Sequence, residues 1–244
     1  MKRFFTAFGF LTLLPYPQST DFEGKDLGRS MSLFPLVGLL LGLILLLLNM
    51  LLAPYLPERL VNIIIIATLI IVTGGLHVDG FMDTLDGIGG GNNKERILTI
   101  MRDSHVGAFG VIGLILLLLI KWEALNSIGG ETKGTALLLM PVISRGGQVL
   151  LTFLSPYART EGVGRPFADG LDKKALTIAV TITLILSLIL GGLAGILMAT
   201  ISGLFALCCS RFFIKKIGGI TGDVIGALNE LLEVLVLLLA AVWI

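Results

Sequence analysis

The chain has 244 residues, of which 55% are hydrophobic and 31 are glycine, whereas only 14% are charged. Soluble domains are about 45–50% apolar and about 25% charged, so this composition excludes a disordered chain and an ordinary soluble domain. The net charge of +1 provides no basic surface on the scale that nucleic-acid binding requires. The composition predicts a protein that crosses a membrane several times.

The first segment in chain order is a short apolar stretch, residues 4–14, that follows Lys2 and Arg3. It lacks the small-residue cleavage site of a signal peptide before Pro15. With about 11 residues it is also too short to cross a bilayer. We expect an uncleaved segment that lies at the membrane surface or is re-entrant.

Six longer apolar stretches follow, and together they predict about seven membrane-spanning helices, because one span needs about 20 apolar residues. One stretch is too long for a single span, and Gly191-Gly192 within it predicts two helices joined by a tight turn. The predicted fold is an all-α polytopic membrane helix bundle, with residues 1–244 forming a single integral membrane domain. The six stretches are 33–53, 60–76, 106–120, 135–154, 175–209 and 224–243.

The distribution of lysine and arginine orients this bundle. If the N-terminus is cytoplasmic, the loops on that side contain about 14 of the 18 basic residues, and the opposite side contains Arg59, Lys121 and Lys133. This asymmetry follows the positive-inside rule. We therefore expect a multi-pass protein of the inner (cytoplasmic) membrane whose active site faces the cytoplasm.

The densest polar stretch is GGLHVDGFMDTLDG at 74–87, directly after the second predicted span. Asp79, Asp83 and Asp86 are spaced i, i+4 and i+7, so they share one face of a helix. Carboxylates this close repel each other unless a cation compensates, and oxygen-only ligands favour Mg²⁺. The stretch predicts a magnesium site, and the alternative is a solvated acidic face. His77 is either a proton acceptor or phosphate contact, or a structural histidine.

A second polar cluster, MRDSHVGAFG at 101–110, precedes the third predicted span. Arg102 and His105 are candidate phosphate ligands, and Asp103 is a candidate to complete a metal site. The alternative is a basic membrane anchor followed by a face of small residues for helix packing.

Arg145 lies inside the predicted span 135–154, where a charge is costly and usually functional. We expect it to pair with an anion, either a carboxylate of the aspartate helix or a substrate phosphate. Arg159, in PYART at 156–160, is either a phosphate ligand or another membrane anchor.

The fourth cluster, GGITGDVIGALNELLE at 218–233, leads into the last predicted span. Its glycines, Thr221, Asp223 and Glu230 are typical of a phosphate or ion site. The alternative is a structural pairing of Glu230 and Glu233 with Arg145. Carboxylates, Mg²⁺ and arginine together suit the handling of a pyrophosphate.

These four motifs, in this order, resemble the cobalamin synthase family, the adenosylcobinamide-GDP ribazoletransferases, as does the opening FLTLLPYP at 10–17. The resemblance implies a Mg²⁺-dependent transferase that joins adenosylcobinamide-GDP to α-ribazole, or its 5′-phosphate, and releases GMP. It implies that Asp79, Asp83 and Asp86 hold the metal while the ribazole 3′-hydroxyl attacks the phosphorus attached to cobinamide. The chain departs from the family pattern after Arg145, where Gly146 replaces an aromatic residue and removes a stacking surface.

The candidate site residues therefore fall into three groups. The candidate catalytic residues are Asp83, His77, Arg102 and Arg145. The candidate phosphate or substrate contacts are Arg102, His105, Arg145, Arg159 and Thr221. The candidate metal ligands are Asp79, Asp83, Asp86, Asp103, Asp223 and Glu230.

The expected partners are the corrinoid and nucleoside substrates, membrane lipid and other enzymes of nucleotide-loop assembly. Three alternatives to this function stay open at this point. A CDP-alcohol phosphotransferase would carry a DGxxAR motif, which is absent from 79–84, and a polyprenyl transferase usually has two DxxxD motifs rather than one. A transporter would distribute its carboxylates across the bilayer.

Overall fold

The computed structural model describes residues 2–16 and 24–243, and over these ranges the chain is helical with no β-strand. This confirms the predicted all-α class. The helices are α1 (Lys2–Leu11), α2 (Gly24–Ser30), α3 (Phe34–Leu52), α4 (Glu58–Val72), α5 (Leu76–Gly90), α6 (Lys94–Ile100), α7 (Ala108–Ser127), α8 (Gly130–Leu154), α9 (Arg165–Gly170), α10 (Lys173–Ile217) and α11 (Gly222–Trp243).

Within the described ranges, five helical stretches are long and apolar enough to cross a membrane. They are Asp26–Leu52, which joins α2 to α3, and the helices α7, α8, α10 and α11. The bent pair α4–α5 makes a sixth span if it is counted as one. The polytopic membrane bundle expected from composition is therefore confirmed.

Helix α10 is a helical hairpin, as the two neighbouring glycines predicted. Gly192 has non-helical angles, φ 57° and ψ −139°, inside a run of 45 residues. Before this break, Thr183 packs at Gly146 of α8, and Gly191 lies near Leu139. After it, Ser155 donates a hydrogen bond to Ser210, 2.8 Å away. The two halves therefore run in opposite directions along α8. Counting them separately gives six spans in the described ranges, or seven if the bent pair α4–α5 is also counted as one.

The second predicted span, 60–76, ends earlier than expected. Helix α4 has only 15 residues, and α5 leaves it at an angle of 89°. Gly74 and Gly75 have φ of +64° and +68°, a left-handed conformation that glycine adopts without strain. The aspartate helix α5 therefore turns across the end of α4 rather than continuing it.

The N-terminal segment forms the short helix α1, which covers the same end of the bundle. The backbone N–H of Leu13 donates to the carbonyl of Val72 at the end of α4, 2.8 Å away. The ring of Phe10 packs against Phe34 and Phe167. These contacts tie α1 to the core, and its placement in a membrane stays a prediction.

The placement of Lys121 on the outer side was wrong. The third predicted span ended at residue 120, but α7 continues to Ser127 and buries Lys121 inside the bundle, with 3% of its surface exposed. Hydropathy decreases at this lysine, which is why the predicted span ended there. The helix continues inside the bundle because buried carboxylates on α11 compensate the charge of Lys121.

Candidate active site

A cavity of about 510 Å³ opens among the segments that were predicted to lie on the cytoplasmic side. It is bounded by the ends of α1 and α9, the starts of α3, α5 and α11, and the segment before α7. The segment 157–164, which contains most of the PYART motif, completes the wall. Motifs that are far apart in the sequence therefore converge on one space.

Arg159 is the buried cation of this cavity. One guanidinium nitrogen, Nη1, lies 2.9 Å from Oδ2 of Asp223. The remaining nitrogens, Nε and Nη2, are buried and have no hydrogen-bond partner in the structure. Because an unpaired buried donor is costly, an anion that reached these nitrogens would stabilise the side chain.

A short backbone bridge fixes the position of Arg159. The N–H of Ile220 donates to the carbonyl of Pro156 at 2.9 Å, and the N–H of Ala158 donates to the carbonyl of Ile220 at 2.8 Å. The bridge joins the PYART segment to the glycine-rich segment before α11. Burial raises the pKa of the nearby Tyr157 hydroxyl, so this residue stays neutral in the cavity wall.

Three aspartates meet where α5 crosses the start of α11. Gly80 permits this close approach, because a Cβ atom at that position would lie 2.8 Å from the Cα atom of Asp223. Asp79 is exposed and lines the cavity. Asp83, one turn further on, is half-buried, and its charge interacts with those of Asp79, Asp223 and Arg159. The predicted acidic face of α5 therefore lies against the start of α11, which belongs to the motif at 218–233.

The donor set fits a cation that is completed by substrate. Within the described part of the chain, no three His, Cys, Asp or Glu side chains are already arranged to hold a metal ion. Mg²⁺ usually retains waters and binds one or two carboxylates together with substrate phosphates. Carboxylates beside a cavity that can admit a phosphate group suit that mode of binding.

Asp86 does not join this group, although it lies on the same helix face. Its two oxygens accept hydrogen bonds from the backbone N–H groups of Gly107 and Gly110, both at 2.8 Å. These donors belong to the first turn of α7, where a carboxylate is favourable. The structure therefore gives Asp86 a capping role and explains the glycines of the motif at 101–110.

Asp86→Asn is expected to destabilise the protein by about 1–3 kcal/mol, because an amide replaces one acceptor with a donor beside a backbone N–H. Thermal unfolding in detergent measures this loss as a lower Tm. The matched change Asp103→Asn, at an exposed aspartate, is expected to leave Tm unchanged. Equal Tm values for the Asp86→Asn variant and the wild type would contradict the capping role.

Only the first residue of the Arg102–His105 group reaches the cavity. Arg102 lines it. His105 is 91% exposed and lies 2.6 Å from Asp103 through its Nδ1 atom. The hydrogen bond from His105 lowers the pKa of the Asp103 carboxyl. These two residues therefore form a surface pair, and neither is among the residues that line the cavity.

Two buried polar side chains of the cavity wall have unpaired atoms. His77 is 3% exposed and its Nδ1 atom has no partner. Gln148 of α8 has an unpaired Oε1 atom and lines the same wall. Sequence reasoning missed Gln148, whose signal was a polar residue one turn after Arg145 in an apolar span. Neither atom is satisfied by the protein in this structure.

Arg145 and Glu230 lie in a separate buried network. Lys121 Nζ contacts Glu230 Oε2 and Glu233 Oε2, both at 2.6 Å. Arg145 pairs with Glu233, and Asn229 Nδ2 donates to Glu233 Oε1 at 2.9 Å. Two cations and two carboxylates balance in this group. Glu233 therefore pairs with Arg145, as the structural alternative predicted, whereas Glu230 pairs with Lys121.

Thr221 is fully buried and caps α11. Its hydroxyl oxygen accepts from the N–H of Val224 at 3.2 Å and donates to Asp223 Oδ2, also at 3.2 Å. The hydroxyl is therefore occupied by the protein, and its contribution is to position the start of α11.

The structure thus separates the candidate residues into two sets. Those brought together at the cavity are His77, Asp79, Arg102, Arg159 and Asp223, with Asp83 beside them. Those placed elsewhere are Asp86, Asp103, His105, Arg145, Thr221 and Glu230.

Comparison with known proteins gives consistent matches over nearly the whole chain. A family model described as cobalamin-5-phosphate synthase matches residues 3–241. A relative from Geotalea daltonii, named adenosylcobinamide-GDP ribazoletransferase, is 42% identical over 98% of this chain and 96% of its own length. Relatives of the same name from Syntrophobacter fumaroxidans and Acetivibrio thermocellus are 40% and 37% identical, each over 98% of this chain and over 98% and 97% of their own lengths. No solved structure matches the chain.

Proposed function

Since the chain belongs to the cobalamin-5-phosphate synthase family of transferases, we propose that it joins adenosylcobinamide-GDP to α-ribazole and releases GMP. The observation that carries this proposal is the pair of unpaired donors on Arg159 in a cavity that Asp79 and Asp223 line, with Asp83 beside them. This combination suits a pyrophosphate, because the arginine binds its oxygens and the carboxylates bind its counterion. Family membership sets aside the CDP-alcohol, polyprenyl and transporter alternatives.

The proposed reaction is an in-line displacement at phosphorus. The 3′-hydroxyl oxygen of ribazole forms a bond to the phosphorus attached to cobinamide. The bond from that phosphorus to the oxygen shared with GMP breaks, and GMP leaves with both bonding electrons. Arg159 binds the phosphate oxygens, and Asp223 orients its guanidinium group through their ion pair.

The hydroxyl proton needs an acceptor in the cavity. We assign it to Asp79, because this is the exposed carboxylate that lines the cavity. We further propose that Asp83 and Asp223 hold Mg²⁺, since they lie on helices that approach closely at Gly80. When bound, Mg²⁺ would neutralise part of the negative charge of the pyrophosphate.

We also propose that the cavity faces the cytoplasm from the inner membrane. The support is that the segments around it are those that carry most of the basic residues, including Arg102, Arg159 and Arg165. Water-soluble substrates would then enter from the side on which they are made.

GMP release by purified protein in nanodiscs tests the function and its metal dependence together. With adenosylcobinamide-GDP, Mg²⁺ and either α-ribazole or its 5′-phosphate, we expect release that a chelator abolishes. Asp83→Asn is expected to reduce release by about 10²-fold or more, on the scale of other electrostatic groups that act at a transition state. Glu95→Gln, at an exposed carboxylate on α6, is the matched control and is expected to keep wild-type activity.

Each outcome of this experiment decides a separate point. Folded wild-type protein that releases no GMP with either nucleoside would overturn the proposed function. Release that continues in the presence of the chelator would keep the transferase and remove the metal from the proposal.

A further inference from the structure

The cavity has an aromatic wall that the phosphate chemistry does not use. The rings of Phe10 and Phe167 have centroids 4.1 Å apart, and the ring of Phe34 lies about 6 Å from each, at 6.1 and 6.2 Å. All three rings and the apolar side chain of Met31 line the cavity. Phe34 and Phe167 are 1% and 5% exposed, so Phe10 presents most of the accessible ring surface in this structure. Three elements that are distant in sequence, α1, α3 and α9, build this wall.

The charged groups come from different elements. Asp79 lies on α5, Asp223 starts α11, and Arg159 belongs to the segment between α8 and α9. The cavity therefore presents an apolar aromatic surface on one set of elements and a charged surface on another. A ligand that fills it must itself have a flat apolar part joined to a polar part.

Resting on the proposed function, we propose that the wall formed by Phe10, Phe34 and Phe167 binds the benzimidazole base of α-ribazole. This base is flat, carries two methyl groups and has no hydrogen-bond donor on its ring edge. Guanine, the base of the other substrate, has several donors and acceptors, which would lose their partners against phenylalanine rings. The ribose 3′-hydroxyl then extends towards the charged wall, where the phosphorus lies.

The size of the cavity agrees with this assignment. At about 510 Å³ it lies within the range that binds a drug-sized molecule, which is the class of a nucleoside. The corrin ring of adenosylcobinamide, with its substituents, is several times larger. The corrinoid therefore remains mostly outside, and only its phosphate reaches Arg159.

Phe167 is the best residue for the test, because it lies on the short helix α9 and lines the cavity. Phe167→Ala removes the ring, and Phe167→Leu keeps apolar volume but removes the flat face. We expect Phe167→Ala to raise KM for α-ribazole about tenfold, the upper range for loss of an aromatic pair. The KM for adenosylcobinamide-GDP is expected to stay within about twofold of the wild-type value.

Phe8→Ala is the matched control, because Phe8 lies on α1 and packs against Phe4 and Tyr16 without being part of the cavity wall.

Calorimetric titration of α-ribazole into each variant, without the second substrate, measures base binding independently of turnover. Thermal unfolding shows which variants are folded, and Phe167→Leu carries the test if the alanine variant does not fold. α-Nucleosides of unmethylated benzimidazole and of adenine are titrated in parallel. We expect the wild type to bind α-ribazole more tightly than either of them, and Phe167→Ala to reduce this difference in affinity.

The outcomes separate the subsite from the function. Unchanged α-ribazole binding in Phe167→Ala, with wild-type GMP release intact, would overturn the subsite and leave the function standing. A raised KM for adenosylcobinamide-GDP alone would place guanine or the corrinoid on the wall and also overturn it. Ribazole binding that depends on Phe167 in a protein that releases no GMP would support the subsite while the function fails.

Discussion

Arg159→Met is expected to lower kcat/KM for GMP release by about 10²- to 10³-fold, the cost of removing one donor from a charge-stabilising site. The reason is that Arg159 is a buried cation on the cavity wall, and two of its guanidinium nitrogens have no protein partner. The change also leaves Asp223 without its ion pair and adds repulsion against the incoming pyrophosphate. Steady-state kinetics of GMP release measures the effect.

Three further variants sharpen this prediction. Arg159→Lys keeps the charge but cannot make paired contacts to phosphate, so we expect an intermediate loss. Arg96→Met removes an exposed arginine from α6, and its kcat/KM is expected to match the wild type. The double variant Arg159→Met/Asp223→Asn is expected to be at least as impaired, because it also removes one of the two proposed Mg²⁺ ligands. A value for Arg159→Met within threefold of the wild type would refute the assignment.

Lys121→Met is expected to destabilise the bundle by about 3–5 kcal/mol, the usual cost of breaking a buried ion pair from one side. Glu230 and Glu233 would then share Arg145 as their cation, in a region where both carboxylates are buried. Thermal unfolding in detergent should show a fall in Tm on the order of 10 °C.

Charge balance can be restored in the same place. Lys121→Met/Glu230→Gln removes one cation and one carboxylate, and we expect it to regain most of the lost Tm. Lys133→Met is the control, since its partner Glu58 is exposed and remains hydrated without the lysine. A double variant that is no more stable than Lys121→Met would show that charge balance does not explain the network.

The acidic face of α5 shows what sequence spacing can predict. The i, i+4 pair Asp79 and Asp83 shares the neighbourhood that helical periodicity implies. Asp86 has the same periodicity, but its environment depends on the start of α7, more than 20 residues away. Local spacing fixes the direction of a side chain, whereas tertiary contacts decide what it binds.

The buried network shows where hydropathy reading fails. Lys121 ended a predicted span because a single charge is costly in an apolar helix. The compensating carboxylates lie on α11, 109 and 112 residues later in the chain. The aromatic wall was not predicted either, because its three phenylalanines belong to separate segments and show no regular spacing in the sequence. In contrast, the hairpin in α10 was predictable, because glycine at its break acts locally.

The buried network also has a consequence for how the protein is made. Lys121 and Arg145 are synthesised well before Glu230 and Glu233, so α7 and α8 emerge from the ribosome with their charges unpaired. Inserting such a charge at the centre of a helix costs about 2.5–3.5 kcal/mol. We expect these two helices to stay beside the insertion machinery, or at the membrane boundary, until α11 arrives. The bundle would then close from its last described helix, and a nascent chain stalled before that helix would present two uncompensated cations to the quality-control systems of the membrane.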